Sequence, residues 1–131
     1  MILIIGGFAQ GKLHYGKQHY AHCEDGQAWL ILDGTLDVPA GAGASQVIVN
    51  HLHCYIREQL RQGKDPEEAV ENFCREHADC VLICDEIGNG IVPLEAEERN
   101  YRERTGRILE KLAAEADEVV RVVCGIGQRI K

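Results

Sequence analysis

Apolar residues in this chain fall into short unbroken runs separated by longer stretches of mixed polarity. Ile2 to Ile5, Ala28 to Leu32 and Cys80 to Cys84 are runs of strand length, each closed by glycine or an acid. Such runs, apolar at successive positions, are typical of strands buried on both faces of a parallel sheet. Glu118 to Cys124 is expected to be the last strand, followed by Gly125-Ile126-Gly127. Between the runs, the pattern has helical period. Lys12 to about Cys23 is predicted helical, with Gly16 lowering its propensity. A second helix is expected from a Ser45 cap to about Gln62, its stripe formed by Val47, Ile48, Leu52, Tyr55, Ile56 and Leu60. Gly63 closes it. Asp65 as N-cap, Pro66 at N1 and Glu68 at N3 open a third, which carries Ala69, Val70 and Phe73 inward and ends near His77. The charged run from Leu94 to Ala116 reads as a long helix with Tyr101, Ile108, Leu109 and Leu112 on its buried side. Strands alternating with helices imply right-handed crossovers and an α/β fold, a single domain over residues 1–131 with no internal repeat.

The junctions carry the chemistry. The first run leads directly into Gly6-Gly7-Phe8-Ala9-Gln10-Gly11-Lys12, the G-x-x-x-x-G-K spacing of a phosphate-binding loop. Glycines let successive N–H groups turn inward toward phosphate oxygens, lysine adds a mobile cation, and the following helix aims its positive end at the same anion. Gly6 through Leu13 are therefore the candidate nucleotide-binding residues, and Lys12 a candidate catalytic one. The eighth position departs from the pattern. It holds Leu13 where Ser or Thr would give a hydroxyl to the magnesium of a bound nucleotide. The ordinary alternative is a glycine turn between strand and helix.

Carboxylates close two of the other runs. Asp33 ends the second, and Asp85 ends the third with Glu86 beside it. In folds of this class, strand-end acids near a phosphate loop hold magnesium directly or through water, so Asp33 and Asp85 are candidate metal ligands. Asp33 equally suits the opening of a turn before Gly34. The Gly, Ala and Pro-rich stretch from Thr35 to Ser45 is expected to form a mobile loop on the carboxyl side of the sheet.

Composition narrows the partners. A formal charge of −7 over 131 residues lacks the basic face of a general nucleic-acid binder, but leaves room for a nucleotide held by local N–H groups and one lysine. With 45% hydrophobic residues and 5% aromatics, the core must be built mainly from Ile, Leu, Val and Ala. Of the six cysteines, Cys80, Cys84 and Cys124 sit in or beside apolar runs, where cysteine acts as a small hydrophobe. With no leader before the first run and no apolar stretch of membrane-spanning length, the cytoplasm is the expected setting. His14, His19, His22 and Cys23 admit a metal-binding reading, against which stands the absence of a second pair at zinc-site spacing. His51 and His53, two apart on a regular helix, would point in different directions.

Asp85-Glu86-Ile87-Gly88-Asn89-Gly90-Ile91-Val92-Pro93 resembles the signature of the bifunctional adenosylcobinamide kinase/adenosylcobinamide-phosphate guanylyltransferase family of cobalamin biosynthesis. The likeness continues through Arg102, Gly106-Arg107, Leu112-Ala113-Ala114, Ala116 to Val119 and Gly125-Ile126, and includes Ile2 to Lys12. It implies a P-loop NTPase-like three-layer fold and a transferase using GTP or ATP with Mg2+. The family phosphorylates the aminopropanol hydroxyl of the corrinoid adenosylcobinamide, then moves GMP from GTP onto that phosphate. Carried over, Gly6, Gly11 and Lys12 would bind phosphate, and Asp85 and Glu86 would lie near nucleotide and metal as catalytic candidates. The resemblance also implies a homo-oligomer. Leu13 replaces the family's serine, Leu109 its usual asparagine and Cys124 its usual serine. The segment that normally carries a guanylylated histidine is missing between the first helix and the second half, and His22 only faintly matches its surroundings. These departures open the alternative of a catalytically reduced nucleotide-binding relative acting as a partner or regulator.

Overall fold

The computed structural model describes residues 1–21, 29–42 and 46–131. Six strands form one sheet: β1 (Ile2–Gly6), β2 (Leu30–Asp33), β3 (Val47–Asn50), β4 (Val81–Asp85), β5 (Glu118–Val123) and β6 (Ile126–Arg129), in the order β2-β3-β4-β1-β5-β6. The first five are mutually parallel and β6 returns antiparallel to β5. Helices α1 (Lys12–Tyr20), α2 (Leu52–Arg61), α3 (Pro66–Glu76) and α4 (Ala96–Glu115) complete the described elements. This is the three-layer α/β architecture expected of a P-loop NTPase-like chain.

Alternation along the strands sorts the core into two faces. Leu3, Val49, Leu82, Cys84 and Val119 face the larger cluster, with Leu52 and Ile56 of α2, Val70 and Phe73 of α3, and Ile108 and Leu112 of α4. Ile4, Ile48, Val81, Ile83, Val120 and Val122 face the other side, covered by Leu13, Tyr15 and Tyr20 of α1 and by Trp29. Gly16 is the close-contact point of α1. A Cβ there would lie 3.2 Å from Ile4 Cδ1 and 3.4 Å from Ile83 Cδ1, so the glycine lets the helix approach the sheet.

The expected helix from Ser45 to Gln62 is corrected. Val47-Ile48-Val49 is strand β3, and helix begins only at Leu52. Three consecutive β-branched residues favour a pleated, buried strand over a helix, and every residue of β3 is buried. Ser45 itself lies outside the described residues. The connection from β2 to β3 begins at the carboxyl edge but must end at the amino edge, because the two strands are parallel. Leu36 and Val38 in it pack on the larger core cluster.

The chain end also differs from expectation. Cys124-Gly125 is a two-residue turn with φ of 51° and 77°, the left-handed pair that a tight hairpin requires, and it leads into β6. Cys124 is therefore exposed at a turn, unlike the buried Cys80 and Cys84. Asp65 caps α3 by accepting from Glu67 N–H at 3.0 Å. Leu109 is half-buried, and Thr105 takes an inward position on α4 beside Tyr101, Ile108 and Leu112.

Candidate nucleotide site at the carboxyl edge

Four neighbouring parallel strands bring their carboxyl ends to one edge, where β2 ends in Asp33, β3 in Asn50, β4 in Asp85 and β1 in Gly6. Ligands of open parallel sheets bind outside this edge. The loop from Gly6 to Lys12 lies over it. Gly6 admits no side chain, because a Cβ would stand 2.4 Å from the backbone oxygen of Val122. Its carbonyl accepts from Glu86 N–H at 2.9 Å, which ties the loop to the end of β4. The far side is held by the terminal hairpin. Cys124 N–H donates to Gln10 Oε1 at 2.7 Å and Gly125 N–H to Gln10 O at 2.8 Å. Ala9 and Gly11 take left-handed φ of 53° and 83°, and Gly11 is the residue before α1. The first N–H groups of α1 have no partner within the helix and open toward the same space.

Lys12 does not project outward. Its ammonium donates to Gly7 O at 2.6 Å and pairs with Asp85 Oδ1 at 2.6 Å, with side-chain exposures of only 7% and 9%. His53 of α2 stands behind this pair. Asp85 N–H donates to His53 Nδ1 at 3.2 Å, so a neutral ring carries its proton on Nε2, which is 3.7 Å from Asp85 Oδ2. Burial lowers the His53 pKa below its ordinary value, and the Asp85 carboxylate opposes that shift. Tyr101 Oη donates to His53 O at 3.0 Å, linking α4 to the start of α2.

A second polar group forms at the ends of β2 and β3. Asp33 Oδ1 accepts from Asn50 Nδ2 at 2.9 Å and lies 2.6 Å from His51 Nδ1. His51 precedes α2 with φ of 54°, an uncommon conformation for a non-glycine residue. Phe8 to His14, Asn50, His51 and Asp85 together line a cleft of about 410 Å³.

The sequence-derived residues thus divide. Gly6 through Leu13, Lys12 and Asp85 come together. Glu86 turns away, its carboxylate accepting from Arg121 at 3.1 Å. Asp33 and Asp85 close strands that β3 separates, two sheet spacings or about 9–10 Å apart, and each engages its own nitrogen partner. Leu13 supplies no oxygen, and both carboxylates already have partners. Among the described residues, no group of three or more His, Cys, Asp or Glu is placed to hold a metal. That donor set does not fit an ion built into the protein ahead of nucleotide. His14 lines the cleft and His19 stacks on Tyr15 with centroids 4.1 Å apart, whereas His22 and Cys23 lie outside the described residues. Sequence reasoning missed Asn50, His51 and His53 as site residues. The signal was the change from Val47-Ile48-Val49 to a polar Asn50-His51, the same apolar-to-polar boundary that marks Asp33 and Asp85.

The family model for cobinamide kinase / cobinamide phosphate guanyltransferase matches residues 26–130. The chain belongs to this family. The bifunctional adenosylcobalamin biosynthesis protein CobU of Salmonella typhimurium is 50% identical over 54 residues, and its Escherichia coli counterpart 48% over 54 residues. Each match covers 41% of this chain and 30% of the relative's length. The family span begins after the Gly6–Lys12 loop, whose assignment stands on its sequence pattern and its position at the carboxyl edge. No helix among the described residues is long and apolar enough to cross a membrane.

Proposed function

We propose that this chain binds GTP or ATP on the Gly6–Lys12 loop and transfers the terminal phosphoryl group to a hydroxyl of cobinamide. The observation that carries this reading is the meeting of loop, Lys12 and Asp85 at the carboxyl edge of a cobinamide-kinase-family sheet. Phosphoryl transfer needs little covalent chemistry from the protein; it needs positioning and compensation of negative charge. The unpartnered N–H groups opening α1 supply part of that. Lys12 supplies the rest once its ammonium leaves Asp85 for a phosphate oxygen. Magnesium enters with the nucleotide, since it keeps several waters and takes only one or two carboxylates in such sites. Asp85, once released by Lys12, would hold the ion together with the phosphates, and the ion would supply further compensation of their charge. Self-association belongs to the same reading, supported by Ile91 and Leu94, which are 90% and 96% exposed.

Calorimetric titration with GTP and with ATP, each with and without magnesium, tests the binding half. Micromolar binding of either, strengthened by magnesium, is the expected result, and no binding of either refutes it. Cobinamide added to the complex tests the transfer half through formation of nucleoside diphosphate. The absence of a hydroxyl at Leu13 and the pinned state of Lys12 favour a second reading, a nucleotide-binding relative with reduced catalysis acting on a partner. Tight binding with no diphosphate formed would select it.

A further inference from the structure

Asp33 and His51 form a dyad whose short carboxylate contact favours one tautomer. At 2.6 Å, His51 Nδ1 and Asp33 Oδ1 would repel as two acceptors, so Nδ1 carries the proton and donates it to the carboxylate. Asn50 Nδ2 donates to the same oxygen at 2.9 Å and also lies 3.0 Å from His51 Nδ1, so the amide gives its hydrogen to the carboxylate rather than to the ring; Asn50 O accepts from Gly34 N–H at 2.8 Å. Two strand ends therefore hold the ring. His51 meets Asp33 from a backbone in the left-handed region before α2, an arrangement of the strained kind that collects at functional sites. With Nδ1–H committed, a neutral ring offers one remaining group, the Nε2 lone pair. Among the described residues Nε2 has no hydrogen-bond partner, and His51 lines the same cleft as Lys12 and the loop. A lone pair cannot donate to phosphate oxygens and is repelled by them. It accepts a hydroxyl proton.

We infer that His51 Nε2 is the proton acceptor for the alcohol that receives the phosphoryl group, with Asp33 as its positioning residue. This rests on the kinase reading above. The acceptor O–H oxygen attacks the terminal phosphorus and forms the new P–O bond. The bond from that phosphorus to the bridging oxygen breaks, and the nucleoside diphosphate leaves with that electron pair. The alcohol proton passes to Nε2, leaving an imidazolium beside the Asp33 carboxylate. No further reactant is needed.

His51→Asn is the decisive variant. Asparagine tolerates left-handed backbone and keeps an N–H for Asp33, yet has nothing at the Nε2 position. In the full-length chain with ATP or GTP, magnesium and cobinamide, His51→Asn is expected to lower kcat by about 100-fold or more, the usual share of a general base. KM for the triphosphate and its calorimetric affinity should stay within about twofold of the original, as a base that touches only the acceptor requires. Nitrogen-15 ring spectra of the original chain should show the Nδ1–H tautomer at His51, and Asp33→Ala should release it. An unchanged kcat in His51→Asn, or an Nε2–H ring in the original chain, overturns the proposal and leaves the kinase reading standing. Binding without turnover by the original chain overturns the proposal while sparing nucleotide binding. Failure to bind either triphosphate removes both.

Discussion

Asp85 and Asp33 end two parallel strands of one sheet, and each lies 2.6 Å from an ionisable nitrogen. In sequence they look alike, since both close an apolar run. In the fold they are opposites. The Asp85 side chain is 9% exposed and its partner Lys12 7%, whereas Asp33 is 67% exposed and His51 44%. A buried pair exists because two charges removed from water have only each other and a few hydrogen bonds, so deleting one strands the other. An exposed pair is screened and contributes little to stability, which leaves its members free to move protons and meet ligands. The same residue type at the same kind of position thus anchors the loop in one case and borders an open cleft in the other.

The largest expected effect comes from breaking the buried pair. Asp85→Asn leaves the Lys12 ammonium without a counter-charge and should cost about 3–5 kcal/mol, read from urea denaturation. A loss below about 1 kcal/mol would place Asp85 in the same class as Asp33 and erase the distinction. Next in size is the coupling between the two. Lys12→Ala and Asp85→Ala should each destabilise, and the double variant should cost less than their sum, with a coupling of about 1–3 kcal/mol. Additive costs would mean that the pair seen at 2.6 Å contributes no mutual stabilisation.

The contrast between the two acids was not legible in the sequence, because burial depends on what covers a strand end. The parallel sheet was legible, since unbroken apolar runs with helical stretches between them leave few alternatives. So was a glycine-dependent turn after β1, since Gly6 has no room for a Cβ and Gly11 takes a left-handed φ. Strand β3 was lost because Val47, Ile48, Leu52 and Ile56 also fit a helical stripe; β-branching at three successive positions was the stronger signal. Strand β6 was lost because Ile126-Gly127-Gln128-Arg129 is too polar to read as core, and it lies at the sheet edge where three of the four are exposed. In sequence, His51 and His53 read as members of one helix. The break between β3 and α2 puts His51 in a left-handed turn and His53 behind Asp85, so their spacing in sequence says nothing about their separate partners.

His53 gives the comparison a pH axis. Its pKa is lowered in the folded chain, mainly by burial, from the ordinary 6.5. As pH falls below that value, the unfolded chain takes up a proton that the folded chain resists, so stability declines with acidity. Stability tied to neutral His53 is complete above 6.5 and lost as pH drops toward the depressed folded value. His53→Gln, which keeps an acceptor for Asp85 N–H, should flatten this part of the profile below neutrality. Urea midpoints measured at several pH values for both chains test it. Equal slopes would mean that His53 titrates alike in both states.

The smallest effect is expected at the exposed acid. Asp33→Asn keeps an oxygen for Asn50 Nδ2 and for His51 Nδ1–H, and removes only a charge that water already screens. The stability change should stay within about 1 kcal/mol, the range of surface pairs. Raising salt should shrink even that, because exposed charges are screened over about 10 Å at 0.1 M ionic strength. The same salt series on Asp85→Asn should leave its large loss nearly intact, since a buried pair is reached poorly by ions. Denaturation of both variants at low and high salt therefore separates the two strand ends in one experiment. If the Asp33→Asn loss is large and insensitive to salt, Asp33 is an anchor like Asp85 despite its exposure.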